Sequence, residues 1–271
     1  MRHLLAATAL ALSTVIAAPA QAAPTVEPAG AQAFANGPAQ AYLLADLDTG
    51  AVLAAKDPGG SYAPASTIKV LLAMVVLDNL RPDNFARANA SHTKVECSCV
   101  GLKPGQPYTV TQLLSALLMV SGNDSANMLA DMLGGQRAAI AAMNRKAAGV
   151  GARGTKASSP SGLDGPGWES ITTPHDLAVI FRAALRYPLI AQIMRAQSAP
   201  FPGKTLSNQN ELLTRYPGDL GGKTGFTNRA RKTYVGAAQR GNRRLVVVQM
   251  YGTGDLYDQA ISLLDWGFSQ P

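Results

Sequence analysis

The chain has 271 residues, of which 47% are hydrophobic and 15% are charged, enough to bury the core of one large domain or two closely packed subdomains. Its formal net charge of +7 would suit an anionic partner, but Lys and Arg are scattered and no basic stripe with interleaved aromatic residues occurs. The composition therefore argues against a nucleic-acid-binding protein. The positive net charge indicates only a general electrostatic attraction of the protein to an acidic cell envelope.

The N-terminus has the features of a secretory signal peptide. A short basic start precedes an apolar, charge-free run from Leu4 to Ala18, which is too short to span a bilayer comfortably, and Ala20-Gln21-Ala22 gives a small-x-small cleavage signature. The alternative, a buried N-terminal helix, leaves that signature unexplained. No second long apolar run follows, so we expect no transmembrane anchor after cleavage. We predict three segments: a signal peptide at 1–22, a flexible leader at 23–37 and one folded domain at 38–271.

Structure is predicted to begin with a hairpin and a buried helix. Apolar strands at Ala41–Asp46 and Ala51–Ala55 flank Asp48-Thr49-Gly50, a typical hairpin turn. After a loop, Thr67–Leu80 is apolar on nearly every side, which is typical of a central, buried helix.

The middle of the chain is predicted to be helical and its end to return to strands. A helix that starts near Thr109 stops at Ser121-Gly122-Asn123, since glycine and asparagine favour a turn there. The other predicted elements are helices at Asp124–Leu133, Ala138–Ala148, Pro174–Leu185 and Asp255–Phe268, and strands at Lys232–Gln239 and Arg243–Tyr251. This order predicts a mixed α/β fold of the α+β type: both chain ends complete an antiparallel sheet, and a helical subdomain is inserted in the middle.

The two cysteines, Cys97 and Cys99, are separated by one residue. In an oxidising compartment they could form a disulfide, although the ring would be tight. Free thiols are a second possibility, and a metal site with His92 is a third, which matches no common zinc spacing.

Three short motifs carry the chemistry, and they occur in the order Ser66-Thr67-Ile68-Lys69, Ser121-Gly122-Asn123 and Lys223-Thr224-Gly225. A serine hydroxyl becomes a nucleophile only when a base takes its proton, and Lys69 lies one helical turn after Ser66. A lysine can act as that base only if burial and a second cation lower its pKa, and Lys223 is the candidate cation. Ser121 can then relay a proton, and Asn123 can hydrogen-bond the substrate.

Each motif has a second match in the chain, so context must distinguish them. Ser91 to Lys94 repeats the first spacing without a buried helix, and Ser125 to Asn127 repeats the second inside a helix. Lys103 to Gly105 repeats the third, but its proline excludes a central strand.

Longer stretches around these motifs resemble the D-alanyl-D-alanine carboxypeptidases, the low-molecular-mass penicillin-binding proteins. The stretches are Ala65–Lys69, Ser121–Asn127, Ser161–Asp164 and Gly222–Thr227, and the resemblance extends over roughly residues 38–268. It implies a β-lactamase-like fold, a domain at 38–271 that removes the terminal D-alanine of peptidoglycan stem peptides outside the cytoplasm, and covalent inhibition by β-lactams. It implies neither cofactor nor metal.

The same resemblance assigns the site residues. Ser66, Lys69 and Ser121 would be catalytic, and the substrate would bind Asn123, Lys223, Thr224, Gly225 and Phe226. The backbone amides of Ser66 and Phe226 would form the oxyanion hole. Some relatives grip the substrate carboxylate with an arginine upstream of the third motif, where this chain has Asn208-Gln209-Asn210-Glu211. Carboxylate binding is therefore expected to depend on Lys223 and Thr224, with Arg229 and Arg231 as candidate helpers.

Other classes of protein fit less well. A β-lactamase would need a deacylating glutamate, and neither Glu169 nor Glu211 has the expected E-x-x-x-N setting. A Ser-His-Asp hydrolase is disfavoured because the chain has no G-x-S-x-G motif, and His175 is interpreted as a structural residue at a helix start. Transpeptidase or endopeptidase activity stays open, as does a catalytically silent wall-binding module.

Overall fold

The computed structural model describes residues 37–96 and 98–271, so the predicted signal peptide and nearly all of the predicted leader lie outside the described residues. The described strands are β1 (Ala39–Asp46), β2 (Val52–Lys56), β3 (Phe85–Arg87), β4 (Pro107–Thr109), β5 (Ser198–Phe201), β6 (Lys204–Ser207), β7 (Asp219–Thr227), β8 (Arg231–Arg240) and β9 (Arg243–Gly252). The described helices are α1 (Lys69–Asn79), α2 (Ala90–Thr93), α3 (Val110–Met119), α4 (Asn123–Met132), α5 (Gln136–Val150), α6 (Pro174–Ala184), α7 (Pro188–Arg195), α8 (Leu212–Arg215) and α9 (Leu256–Ser269).

The main sheet joins the two ends of the described chain. Its strand order is β2-β1-β9-β8-β7, and neighbouring strands are antiparallel. The register places Ala41 of β1 opposite Met250 of β9. The predicted sheet completed by both chain ends, with helices inserted between them, is thereby confirmed. Two small two-stranded sheets, β3-β4 and β5-β6, lie outside this sheet.

Both faces of the sheet are covered, which explains why its inner strands are almost continuously apolar. On one face, Leu43 and Val248 pack with residues of α1, α3 and α6. On the other face, Tyr42 and Leu44 pack with Leu263 and further residues of α9. Because each face of β1 meets a separate hydrophobic cluster, successive residues along the strand are buried rather than alternately exposed.

Helix α1 is the central helix of the fold, as its composition predicts. Every residue from Lys69 to Val76 is buried, and the helix contacts α3, α5 and α6. The start of the helix differs from the prediction, because a 3-10 turn at Ala65–Ile68 precedes α1 instead of a regular helix from Thr67. Ser66 therefore lies in a tight turn directly before the buried helix.

Several elements gave no usable sequence signal, and β7 is the most important of them. Gly221, Gly222 and Gly225 lie within this strand, and glycine is depleted in strands because it has no side chain to pack. The helix α7, which includes Ile190 and Ile193, and the β5-β6 hairpin were likewise not predicted. The third motif lies on β7, and α7 packs against this strand.

The described residues contain no single helix that is both long and apolar enough to cross a membrane. One bent pair, α6 and α7, passes the same test of length and composition, with an angle of 106° between its two helices.

Candidate functional site

The 3-10 turn places the predicted nucleophile and base side by side. Nζ of Lys69, the first residue of α1, lies 2.7 Å from Oγ of Ser66. The residue before the serine, Ala65, has φ of 48°, a left-handed conformation that is uncommon for residues other than glycine. Such local strain is often found where a functional side chain must be held in a particular direction.

Lys69 is fully buried, and its surroundings lower its basicity. Burial is the largest cause that holds the pKa of Lys69 well below its ordinary value, and the nearby positive charge of Lys223 lowers this pKa further. The carboxylate of Asp124 acts in the opposite direction but does not outweigh them. A neutral amine next to Ser66 is therefore favoured, as general-base chemistry requires.

The second motif comes to the same amine from the turn between α3 and α4. Nζ of Lys69 donates to Oδ1 of Asn123 at 2.7 Å and lies 3.4 Å from Oγ of Ser121. Ser121 has φ of 61°, so this motif also includes a non-glycine residue in the left-handed region. The amide of Asn123 has a fixed orientation, because its Nδ2 donates to the carbonyl of Glu96 at 2.6 Å.

The third motif lies on β7, the edge strand nearest to Ser66. An ideal Cβ built on Gly225 would lie 2.8 Å from the backbone N of Ser66, which is closer than real Cβ atoms approach. Glycine at this position thus lets the strand run directly past the serine. A similar close approach occurs at Gly162 of the Ser161–Asp164 stretch, where a Cβ would lie 1.9 Å from the carbonyl oxygen of Ala65.

Lys223 is buried behind this edge. Burial lowers the pKa of Lys223 to about 7, and its Nζ donates to the carbonyl of Thr224 at 2.7 Å. The side chain is only 2% exposed, so its charge acts on Lys69 more directly than on a molecule arriving from solvent. In its protonated form Lys223 is the second contribution to the low pKa of Lys69, after burial.

A cavity of about 700 Å³ opens over the paired serine and lysine. The predicted site residues that line it are Ser66, Ser121, Asn123, Thr224, Gly225 and Phe226, whereas Lys69 and Lys223 lie behind its wall. The phenyl ring of Phe226 is 60% exposed, which is unusual for a large apolar side chain outside a binding surface. The three motifs thus converge on one open site.

The cavity wall also contains residues that the sequence did not single out. Among the described lining residues the one cation is Lys232, on β8 directly opposite Phe226. Nζ of Lys232 donates to the carbonyl of Gly254 at 3.0 Å. The hairpin register that pairs β7 with β8 is the signal that could have identified this lysine, since Lys232 is at the predicted start of β8.

The two arginines named as candidate helpers are absent from the cavity wall. Arg229 is paired with Glu169 at 3.7 Å, and Arg231 is not among the lining residues. Of the two glutamates considered in the sequence, Glu211 lines the cavity and is paired with Arg215 at 3.0 Å, whereas Glu169 is not among the lining residues. The arginines therefore gain no support as carboxylate contacts.

The secondary matches to the motifs lie elsewhere, as their contexts indicated. Ser91 is in the short helix α2, Ser125 is inside α4, and Lys103 precedes β4 in a loop. The cysteine question is settled for Cys99, which is disulfide-bonded, while Cys97 lies outside the described residues. The alternatives of a free thiol or a zinc ligand are thus wrong for Cys99.

Comparison with known proteins identifies the family. The family model described as D-alanyl-D-alanine carboxypeptidase matches residues 28–253. This chain belongs to the D-alanyl-D-alanine carboxypeptidase family. The members of this family are serine hydrolases. The resemblance seen in the motifs is thereby confirmed.

Relatives in this carboxypeptidase family share both sequence and fold with the chain. The D-alanyl-D-alanine carboxypeptidase DacB2 of Mycobacterium tuberculosis is 56% identical over 253 residues, which cover 90% of this chain and 87% of that protein. A solved D-alanyl-D-alanine carboxypeptidase from M. tuberculosis superposes with a TM-score of 0.88 at 55% identity, covering 91% of this chain and 97% of the other. A mutant of the Streptomyces K15 DD-transpeptidase gives a TM-score of 0.81 at 27% identity, covering 86% and 99%.

Proposed function

We propose that the protein is an exported serine carboxypeptidase that removes the terminal D-alanine of peptidoglycan stem peptides through an acyl-enzyme on Ser66. The observation that carries this proposal is the 2.7 Å contact between Nζ of Lys69 and Oγ of Ser66, in a setting that favours a neutral lysine. Export rests on the signal-peptide features of residues 1–22, and it places the enzyme in the periplasmic or cell-wall space.

In the first step, the neutral amine of Lys69 takes the proton of the Ser66 hydroxyl. The oxygen attacks the carbonyl carbon of the D-Ala-D-Ala peptide bond, and negative charge develops on the carbonyl oxygen. The backbone N–H groups of Ser66 and Phe226 are the proposed donors to that oxygen. Gly225 supports this pairing because it lets the strand with Phe226 run close to Ser66.

In the second step, the peptide bond breaks and the proton returns to the leaving amine. Ser121 lies between Lys69 and the cavity, so its hydroxyl can pass the proton from the ammonium to the departing D-alanine. The remaining acyl group is an ester of Ser66. Water hydrolyses this ester and regenerates the serine. A β-lactam would acylate Ser66 by the same attack, and its ring amide would open without releasing a separate product.

The terminal carboxylate of the substrate is assigned to Thr224 and Lys232. Thr224 and Lys232 share a face of the β7-β8 pair, because Lys232 is opposite Phe226 and Thr224 is two residues away from Phe226. Diagonal cross-strand neighbours lie about 7–8 Å apart, within reach of a long side chain. One N–H of Lys232 is used by Gly254, which leaves donors for a ligand. The buried charge of Lys223 adds attraction from behind the strand.

We expect Lys232→Met to slow release of D-alanine from a peptide ending in D-Ala-D-Ala by about 10- to 100-fold, because a charge-assisted hydrogen bond is lost. Amidating the terminal carboxylate should slow the wild type by a similar factor and affect Lys232→Met little. The measurement is product release from free-acid and amidated peptides. Arg231→Met is the matched control, since this neighbouring cation does not line the cavity. Equal sensitivity of wild type and Lys232→Met to amidation would exclude the assignment.

The second candidate function is transpeptidation, which the similarity to the Streptomyces K15 DD-transpeptidase favours. Both reactions share the acyl-enzyme and differ in whether water or an amine accepts the acyl group. Incubation with a mixture of donor and acceptor peptides distinguishes them. Free D-alanine with hydrolysed donor supports the carboxypeptidase, and a dominant cross-linked product would support the transpeptidase.

The contribution of Lys223 to basicity gives a pH-dependent prediction. Its positive charge lowers the pKa of Lys69, so Lys223→Met should raise that pKa and keep Lys69 protonated to higher pH. Since only the neutral amine is a base, the acid limb of the acylation rate should move to higher pH, with about a tenfold loss below the limb for each unit of movement. Rates of labelling by a fluorescent penicillin across pH provide the test. Lys103→Met, in an exposed loop, is the control, and an unmoved limb would contradict the prediction.

A further inference from the structure

The Ser161–Asp164 stretch, which takes no part in the proposed reaction steps, packs against the turn that carries the nucleophile. Gly162 has φ of 84°, and a Cβ there would lie 1.9 Å from the carbonyl oxygen and 2.4 Å from the carbonyl carbon of Ala65. The two backbones are therefore in direct contact, with no room for a side chain between them. Since Ala65 directly precedes Ser66, the stretch lies against the chain just before the first proposed oxyanion donor.

The other end of this stretch is tied to the chain just after the second proposed donor. Oγ1 of Thr227, the last residue of β7, donates to Oδ2 of Asp164 at 2.8 Å. The same Oγ1 accepts from the backbone N of Ala230 at 3.0 Å. Since Thr227 directly follows Phe226, Asp164 holds the end of the strand whose backbone provides the second donor.

Hydrogen bonds within the loop make the stretch a fixed spacer between these two contacts. Oγ of Ser159 accepts from the backbone N of Gly162 at 3.0 Å and donates to the carbonyl of Leu163 at 2.7 Å. Ser159 is buried. Among the described residues, those that line the cavity include Leu163 and Thr227 but not Asp164. Asp164 can therefore act on the site only through the residues that it holds.

We propose that Asp164 is a positioning residue that sets the separation of the two oxyanion donors. It holds Thr227, and with it the amide of Phe226, at a fixed distance from the turn that carries Ser66. Such donors lower the barrier only when they are aimed at the place where negative charge develops. The inference rests on the proposed function, because the two amides are oxyanion donors only if Ser66 is the nucleophile.

Other contacts hold part of the same geometry, which limits the expected effect. Oγ1 of Thr233 on β8 donates to the carbonyl of Pro64 at 2.9 Å, and Phe226 is paired with Lys232 across β7 and β8. Loss of the Asp164 contact should therefore shift the Phe226 amide without releasing it. Misplacement by about 1 Å can cost about 10²-fold in rate. For the smaller shift we expect Asp164→Ala to slow acylation by a fluorescent penicillin about tenfold.

Stopped-flow kinetics over a range of penicillin concentrations separates positioning from a loss of folded protein. Negative charge on the carbonyl oxygen develops only in the transition state. Asp164→Ala should therefore lower the acylation rate constant and leave the dissociation constant of the initial complex unchanged. Damage to the fold would instead lower the fraction of protein labelled at long times, or the melting temperature, with a normal rate constant for the protein that remains folded.

Three further variants identify the hydrogen bond as the cause. Asp164→Asn should retain most of the rate, because its amide oxygen can still accept from Thr227. Thr227→Val breaks the same bond from the other side and should also slow acylation, and combining it with Asp164→Ala should add little to either loss. Glu169→Gln is the matched control, since it removes the 3.7 Å pairing with Arg229 that joins the same loop to the same hairpin. It should acylate like the wild type.

Wild-type rate constants for both Asp164→Ala and Thr227→Val would overturn the inference. An equal loss in Glu169→Gln would also overturn it, because any loosening of the loop would then suffice, and so would a weaker initial complex with an unchanged rate constant. If Asp164→Ala does not fold, Thr227→Val and Asp164→Asn decide between these outcomes. Failure of the wild type to form any adduct on Ser66 would instead overturn the proposed function, so the two failures are distinguishable.

Discussion

Treatment with penicillin is expected to add one covalent adduct to the wild-type protein and none to Ser66→Ala. Removal of Oγ eliminates the only atom at this position that could form the acyl bond, so the effect should be complete. The structure supports this because Oγ lies at the cavity wall, 2.7 Å from the amine of Lys69. Intact-mass spectrometry measures the adduct, and peptide mapping locates it.

Ser91→Ala is the matched control for this experiment. Ser91 has the same spacing to a lysine as Ser66, but it lies in the short helix α2, away from the cavity wall. This variant should be labelled like the wild type. An adduct mapped to Ser91, or full labelling of Ser66→Ala, would show that the wrong motif has been assigned.

Lys69→Ala is expected to slow acylation by at least about 10²-fold, the contribution typical of a positioned general base. The lysine is buried beside Ser66 with a lowered pKa, so no solvent group can easily replace it. The acylation rate follows from labelling by a fluorescent penicillin under single-turnover conditions. The wild-type rate should also fall as the pH drops through the pKa of Lys69, because the protonated amine cannot accept a proton.

Thermal melting distinguishes a lost base from a lost fold in this variant. Lys69→Met fills most of the same space without a titratable amine, and it serves as the second variant. Removal of a buried, poorly solvated amine should leave the fold intact, since burial of Lys69 disfavours its charged form. Near-normal acylation by both variants, with unchanged melting temperatures, would exclude Lys69 from the mechanism.

The sequence predicted the elements whose signals are local. Helix α1 could be recognised because it is apolar on every side, and β8 and β9 because their apolar runs flank the Arg240-Gly241-Asn242 turn. The three motifs were also placed together correctly. Two of these predictions rest on residues near one another in sequence, namely Ser66 with Lys69 and Ser121 with Asn123. The placement of the third motif beside them rests on the family resemblance.

The parts that could not be predicted depend on long-range register and on close backbone approach. Lys232 enters the cavity wall only because β8 pairs with β7 so that it lies opposite Phe226. Glu96 contributes through its main-chain carbonyl, which no side-chain pattern reveals. Arg229 gains no support as a carboxylate contact for a similar reason, because its pairing with Glu169 is set by the fold.

The position of β9 has a consequence for how the molecule assembles. This central strand is the last strand in chain order, and it pairs with β1, the first strand described. Contacts between residues so far apart in sequence form slowly, because a long loop must close before they contribute any stability. A chain that emerges from its N-terminus, from a ribosome or through a translocation pore, therefore cannot complete this sheet until nearly all of it has been delivered. Until then β1 can pair only with β2.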